Sequence, residues 1–275
     1  MATTQFLVRD GGRIAYDDTG GSGPLVLLAP GMGDVRGVYR FIVPKLAEAG
    51  YRVVTMDIRG HGESSVGWPD YTPRTSGEDM LALVRELGAG PAVLVGESFT
   101  PASAIWAAAE APELVAGIVL CAPFASTPKP NPILRAAAAV VTRVPAFWAR
   151  FYRSLYPVAP PPDFPAYLAA LRANLAEPGR MAAMRAMAAS SKDQCNDRIV
   201  DVRCPVLIVM GTQDPDFKDP AAEARLIADR AADATVVMVA AGHYPPAEAP
   251  GATAAAMLEF LGRVAPLDRV GDNAG

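Results

Sequence analysis

Ala92-Val93-Leu94-Val95-Gly96-Glu97-Ser98-Phe99-Thr100-Pro101-Ala102-Ser103-Ala104-Ile105 is the stretch whose reading decides the fold. Its first four residues are apolar and uncharged, as in a strand covered on both faces. The Ala-rich segment starting near Pro101 has the composition of a helix, and proline is tolerated in a first helical turn. One serine, Ser98, stands at the bend between them. A serine there is either the N-cap of an ordinary βα unit or a hydroxyl held out of the sheet for chemistry.

Chemistry at Ser98 needs a base, and the chain has two histidines, His61 and His243. His243 lies in Ala240-Ala241-Gly242-His243-Tyr244, just after the strand-like run Thr235 to Val239 and before an amphipathic helix expected from about Ala247 to Arg263. Loops at strand ends are where catalytic side chains concentrate. An acid to orient the imidazole is offered by Gly211-Thr212-Gln213-Asp214-Pro215-Asp216, which follows the strand-like Val206 to Met210. Either Asp214 or Asp216 could serve, with Asp214 the first choice. Ser98, Asp214 and His243, each after its own strand and in that chain order, resemble the nucleophile, acid and base of the α/β-hydrolase fold superfamily. The resemblance departs from the Gly-x-Ser-x-Gly elbow at its last position, where Thr100 replaces glycine. A β-branched residue at a crowded turn calls for compensation, either from the small neighbours Ala102 and Ser103 or from a hydrogen bond of its hydroxyl to adjacent backbone.

The resemblance implies an α/β fold, with a mostly parallel sheet, helices on both faces and an inserted helical cap. The rest of the chain can be read in that order. Phe6 to Arg9 and Arg13 to Tyr16 alternate around Asp10-Gly11-Gly12, a hairpin signal. Leu25 to Ala29 reads as a central strand ending in Pro30-Gly31-Met32-Gly33-Asp34. In the family that loop supplies half of the oxyanion hole, so the resemblance gives the backbone amide of Met32 this role, with the amide of Phe99 as the second donor. Val35 to Gly50 reads as one helix, Tyr51 to Asp57 as a strand and Gly77 to Gly88 as the next helix. Between them, Arg59-Gly60-His61-Gly62-Glu63-Ser64 is similar to a structural loop of the family, which makes His61 a loop brace rather than the base. Leu114 to Cys121 is another buried strand.

From Ala122 the strand and helix alternation breaks until Cys204, across Pro128, Pro130, Pro132 and Pro160-Pro161-Pro162 and the helical segments Ile133 to Arg143, Phe147 to Tyr156 and Phe164 to Ala176. The expected division is a core of residues 1–123 and 197–266, a cap of 124–196 and a loose tail of 267–275. Phe147, Trp148, Phe151, Tyr152, Tyr156, Phe164 and Tyr167, with Met181, Met184 and Met187, fall in the cap. Most of these hold it to the core, and some line the roof of the cleft, which favours an apolar or aromatic substrate.

Composition sets limits. With 51% hydrophobic residues and a net charge of -4, nothing points to nucleic acid or an anionic membrane as a partner. Neither a leader at Met1 to Phe6 nor an apolar run of the ~18 residues a span requires is apparent, so a soluble, cytoplasmic protein is expected. Cys121, Cys195 and Cys204 lack metal-ligand spacing and read as reduced thiols, so neither a metal nor a cofactor is expected. A homodimer is compatible with the chain. The activity implied is hydrolysis of an ester, thioester or lactone of a small molecule through an acyl-enzyme on Ser98. The alternatives are a carbon-carbon bond hydrolase, a cyclase of secondary metabolism, or a ligand-sensing receptor on the same fold.

Overall fold

The computed structural model describes residues 3–127 and 132–267, so Pro128 and Pro130 and all of the expected tail except Leu267 lie outside the described residues. Eight strands form one sheet in the order β1-β2-β4-β3-β5-β6-β7-β8. They are β1 (Gln5–Arg9), β2 (Gly12–Asp18), β3 (Leu25–Ala29), β4 (Arg52–Met56), β5 (Ala92–Glu97), β6 (Val115–Cys121), β7 (Val206–Gly211) and β8 (Ala234–Val239). The hairpin β1-β2 and the pair β2-β4 are antiparallel, and every other pairing is parallel. Alternation within a strand explains the uncharged runs. Leu25, Leu27 and Leu94 point into one core, while Val26, Leu28, Val93 and Val95 point into the other, so both faces of the central strands are covered.

One core is closed by α2 (Pro73–Leu87), α3 (Pro101–Glu110) and α9 (Pro220–Ala228). The other is closed by α1 (Val43–Glu48) and α11 (Pro250–Val264). The segment between β6 and β7 carries α4 (Pro132–Val141), α5 (Pro145–Ser154), α6 (Phe164–Leu175), α7 (Arg180–Ala189) and the short α8 (Asp193–Asn196). Among the described residues no helix is long and apolar enough to cross a membrane. The three cysteines are unpaired.

Proline accounts for two corrections to the sequence reading. The single helix expected over Val35 to Gly50 is a 3-10 turn at Arg36–Tyr39 followed by α1, because Pro44 has no N–H and its ring would strike the carbonyl four residues earlier. Gly50 still closes it, at φ 101°. The helix expected from Ala247 to Arg263 is likewise broken at Pro250, into the turn α10 (Pro245–Glu248) and α11. In the third correction, α2 begins at Pro73 rather than Gly77, since Thr72 caps it by accepting from Thr75 N at 3.4 Å.

Candidate active site

Strand β5 runs straight into the bend. Ser98 has φ 58°, a conformation that costs an L-residue about 1–2 kcal/mol, and its N–H donates to Cys121 O at 2.9 Å. From Ala92 to Ile105 it is the one residue that is not buried. Close packing explains Gly96, since a Cβ there would lie 2.5 Å from Pro101 N and Thr100 C. At the position where the sequence departs from the family pattern, the Thr100 hydroxyl is buried. It accepts from Glu97 N at 2.8 Å and has Ala29 O at 2.9 Å and Glu97 O at 3.2 Å as acceptors for its own proton. The hydroxyl ties the turn to the end of β3, so the crowding falls on Gly96 and not on residue 100.

The ends of β7 and β8 deliver the other two groups. His243 Nε2 is 2.8 Å from Ser98 Oγ, and Nδ1 is 2.7 Å from Asp214 Oδ2. With Asp214 as acceptor, Nδ1 carries the proton and Nε2 is left to accept from Ser98. Asp216 stands farther away, with Oδ2 at 3.7 Å from Nδ1 and its side chain 26% exposed, while its N–H donates to Asp214 Oδ1 at 3.0 Å. Burial works against a charge on His243, but Asp214 and then Asp216 outweigh it and raise the imidazole above its ordinary pKa. Among the described residues, Asp214, Asp216 and His243 are the one group whose donor atoms are close enough to share a metal. Both ring nitrogens of His243 are already engaged, however.

The loop after β3 lies against the bend. A Cβ on Gly31 would sit 2.5 Å from Glu97 Oε2 and 3.0 Å from Ser98 Cβ, so only glycine allows this approach. Gly33 N donates to His61 Nε2 at 2.9 Å, and His61 Nδ1 faces Arg59 O at 2.9 Å. His61 is thus a neutral brace of this loop, remote from the base position, and burial lowers its pKa to about 4. Among the described residues, the N–H groups of Met32 and Phe99 donate to no acceptor.

Two buried acids were not singled out by the sequence reading. Asp34 accepts from Val35 N and Tyr152 Oη, at 2.8 and 2.7 Å, and from Tyr167 Oη, yet burial pushes its carboxyl up to about 6. Glu97 is wholly buried, with Oε1 3.9 Å from His243 Nε2, and burial pushes its carboxyl well above the usual carboxylate range.

The helices between β6 and β7 are fastened to these same loops. Trp148 Nε1 donates to Gly33 O at 2.8 Å, and Tyr156 stacks on Tyr244 with ring centres 5.0 Å apart. His243 N donates to Leu155 O at 3.0 Å, and Glu248 accepts from Val158 N and Ala159 N at 2.6 and 2.7 Å and from Gly242 N. Trp148, Tyr152, Tyr156 and Phe164 are buried in this packing. Besides the adjoining Tyr244, at 5.4 Å, the rings beside the imidazole are Phe124, at 5.8 Å, and Phe217, at 6.4 Å. Both sit in loops without periodicity, and their only sequence signal is that they follow β6 and the acid-bearing loop.

Residues 26–256 match the sequence profile of the alpha/beta hydrolase family. The chain belongs to this family. Among relatives of this α/β hydrolase, the 2-(acetamidomethylene)succinate hydrolase of Mesorhizobium japonicum is 29% identical over 280 aligned residues, covering 95% of this chain and 97% of the relative. A thermophilic esterase from Thermogutta terrifontis, solved with malate bound, superposes with a TM-score of 0.79 at 27% identity, over 96% of this chain and all of that one. The enol-lactonase of Burkholderia xenovorans LB400 superposes at 0.78 over 94% of this chain and 99% of its own, and at 23% identity it shares the fold. The protein is an enzyme, a hydrolase on this fold.

Proposed function

We propose that this α/β hydrolase cleaves an ester or lactone of a small organic molecule through an acyl-enzyme on Ser98. The observation that carries the reading is the hydrogen-bonded chain from Ser98 Oγ through His243 to Asp214, at 2.8 and 2.7 Å, built on the one serine of the β5-α3 turn that reaches solvent. Ser98 Oγ attacks the carbonyl carbon as His243 Nε2 takes its proton. Negative charge then forms on the carbonyl oxygen, and the free N–H groups of Met32 and Phe99 are the donors for it. Loss of one such donor typically costs ~3 kcal/mol of barrier. Collapse expels the alcohol, which leaves with the proton on Nε2, and a water deprotonated by the same nitrogen releases the acid. Asp214 keeps the Nδ1–H tautomer throughout.

In the same reading residues 124–196 form a cap over a core of 1–123 and 197–266, which explains why α5 and α6 are bonded to the loops that carry Gly33, Asp34 and His243. The test is covalent labelling with a fluorophosphonate together with turnover of p-nitrophenyl butyrate. Ser98→Ala should lose the label, and both Ser98→Ala and His243→Ala should lose at least about 10³-fold in kcat. A labelled Ser98→Ala protein, or one that keeps most of its turnover, would refute the assignment.

A further inference from the structure

Cations withdrawn from water in this protein are matched by acids. Arg36 is bonded to Asp17, Asp57 and Glu63, Arg59 to Asp79, and Arg180 to Glu177. Lys192 departs from this pattern. It precedes α8, where the chain returns from the insertion to the core, and it takes part in no ion pair among the described residues. Its backbone is fixed, because its N–H donates to Thr127 Oγ1 at 2.8 Å and its carbonyl accepts from Cys195 N and Asn196 N at 3.1 and 2.9 Å. Its ammonium stands 5.6 Å from the ring centre of Phe99 and 5.0 Å from that of Phe124. Phe99 directly follows Ser98, and Phe124 lies 5.8 Å from the imidazole of His243. Among the described residues Asp193 and Asp216 act on it at longer range, and burial lowers the amine's pKa despite them.

We propose that Lys192 forms a carboxylate subsite next to the nucleophile, so that the preferred substrate is an ester or lactone bearing a free carboxylate. Two ring faces hold the ammonium by cation–π attraction but leave it without a direct ion-pair partner among the described residues. A substrate carboxylate supplies that partner at a place partly shielded from water, where such a pair is stronger than at the surface. One cation flanked by apolar rings fits a carboxylate better than a phosphate, which needs several donors. The rings then pack against the carbon chain between the carboxylate and the reacting carbonyl.

This inference rests on Ser98 being the nucleophile, and the experiment separates the two. Mono-p-nitrophenyl succinate is compared with its methyl ester to place the charge on the acyl side, and 4-acetoxybenzoate with its methyl ester to place it on the alcohol side. In at least one pair the wild-type protein should favour the charged member by tenfold or more in kcat/KM. Lys192→Met should lower that ratio at least tenfold, while Lys192→Arg retains most of it. If Lys192→Met folds poorly, the ratio in the wild-type protein should still fall as salt is raised, because the attraction is screened. Ratios near one in the wild-type protein, or ratios unmoved by Lys192→Met, would overturn the subsite even while a fluorophosphonate still labels Ser98. If Ser98 takes no label and none of the four esters turns over, the reading of Ser98 falls and the subsite falls with it.

Discussion

Replacing Thr100 by valine keeps the shape of the side chain and removes only the hydroxyl, so its cost can be worked from the bonds that remain. Ala29 O still receives the Tyr39 hydroxyl at 2.9 Å, and Glu97 O still receives Thr100 N at 3.1 Å, so neither acceptor is abandoned. Valine gives up the bond that the hydroxyl accepts from Glu97 N, at 2.8 Å, and the one it donates to Ala29 O, at 2.9 Å, both of them buried. Buried hydrogen bonds contribute about 1 kcal/mol each, so the two together are worth about 2 kcal/mol. For a protein of this size each 1 kcal/mol lowers Tm by about 2–4 °C, so a loss near 2 kcal/mol predicts a fall of about 4–8 °C. Thr100→Ser, which keeps the hydroxyl and loses a methyl, should cost only about 1 kcal/mol. Thermal melts of the three proteins, with urea titrations to obtain free energies, decide the matter. A valine variant melting within about a degree of wild type, or a serine variant falling as far as the valine one, would refute the argument.

Two further outcomes follow from the charges around the site. Asp216→Asn removes a negative charge 3.7 Å from His243 Nδ1 and so lowers the pKa of the imidazole; the acidic limb of the kcat/KM profile should move to lower pH, and a limb that stays in place would show that Asp214 alone sets the basicity. His61, with its folded pKa lowered from 6.5 to about 4, contributes stability that is complete above pH 6.5 and is lost as pH falls toward 4; the advantage of wild type over His61→Gln in urea unfolding should shrink by about 3 kcal/mol over that window, and an unchanged difference would mean that His61 is not held neutral.

What the sequence made legible was what local pattern controls. The uncharged four-residue start of β5, the helix after Pro101 and the strand before each candidate site residue are all short-range signals, and they place Ser98, Asp214 and His243 each just beyond a strand end. That Ser98 and His243 touch is a contact across 145 positions, which only the parallel strand order brings about. Pro44 and Pro250 were visible, but a periodic apolar pattern ran through both and masked the breaks. The aromatics between β6 and β7 were expected mostly to hold that segment to the core, with some lining the cleft, and Trp148, Tyr152 and Tyr156 are buried in packing on the Gly33 and Tyr244 loops. Glu97 and Asp34 carry no pattern that announces burial of an acid, since charged residues in strand-end loops are usually solvated.

The bonds of Glu248 have a consequence for anyone who would exchange parts between relatives. Its carboxylate joins Val158 and Ala159 of the insertion to Gly242, the residue before the imidazole, and Leu155 O receives the N–H of His243 itself. Gly242 is held so closely there that a Cβ would run into Pro157 and Leu155 O. The insertion is therefore not a detachable accessory whose seam follows the strand ends. A chimera that imports foreign helices but retains the native 242–248 turn would inherit an acid without its partners and a histidine without its support. The interchangeable unit is the segment 155–159 together with 242–248, two pieces far apart in the gene that have to be inherited as one.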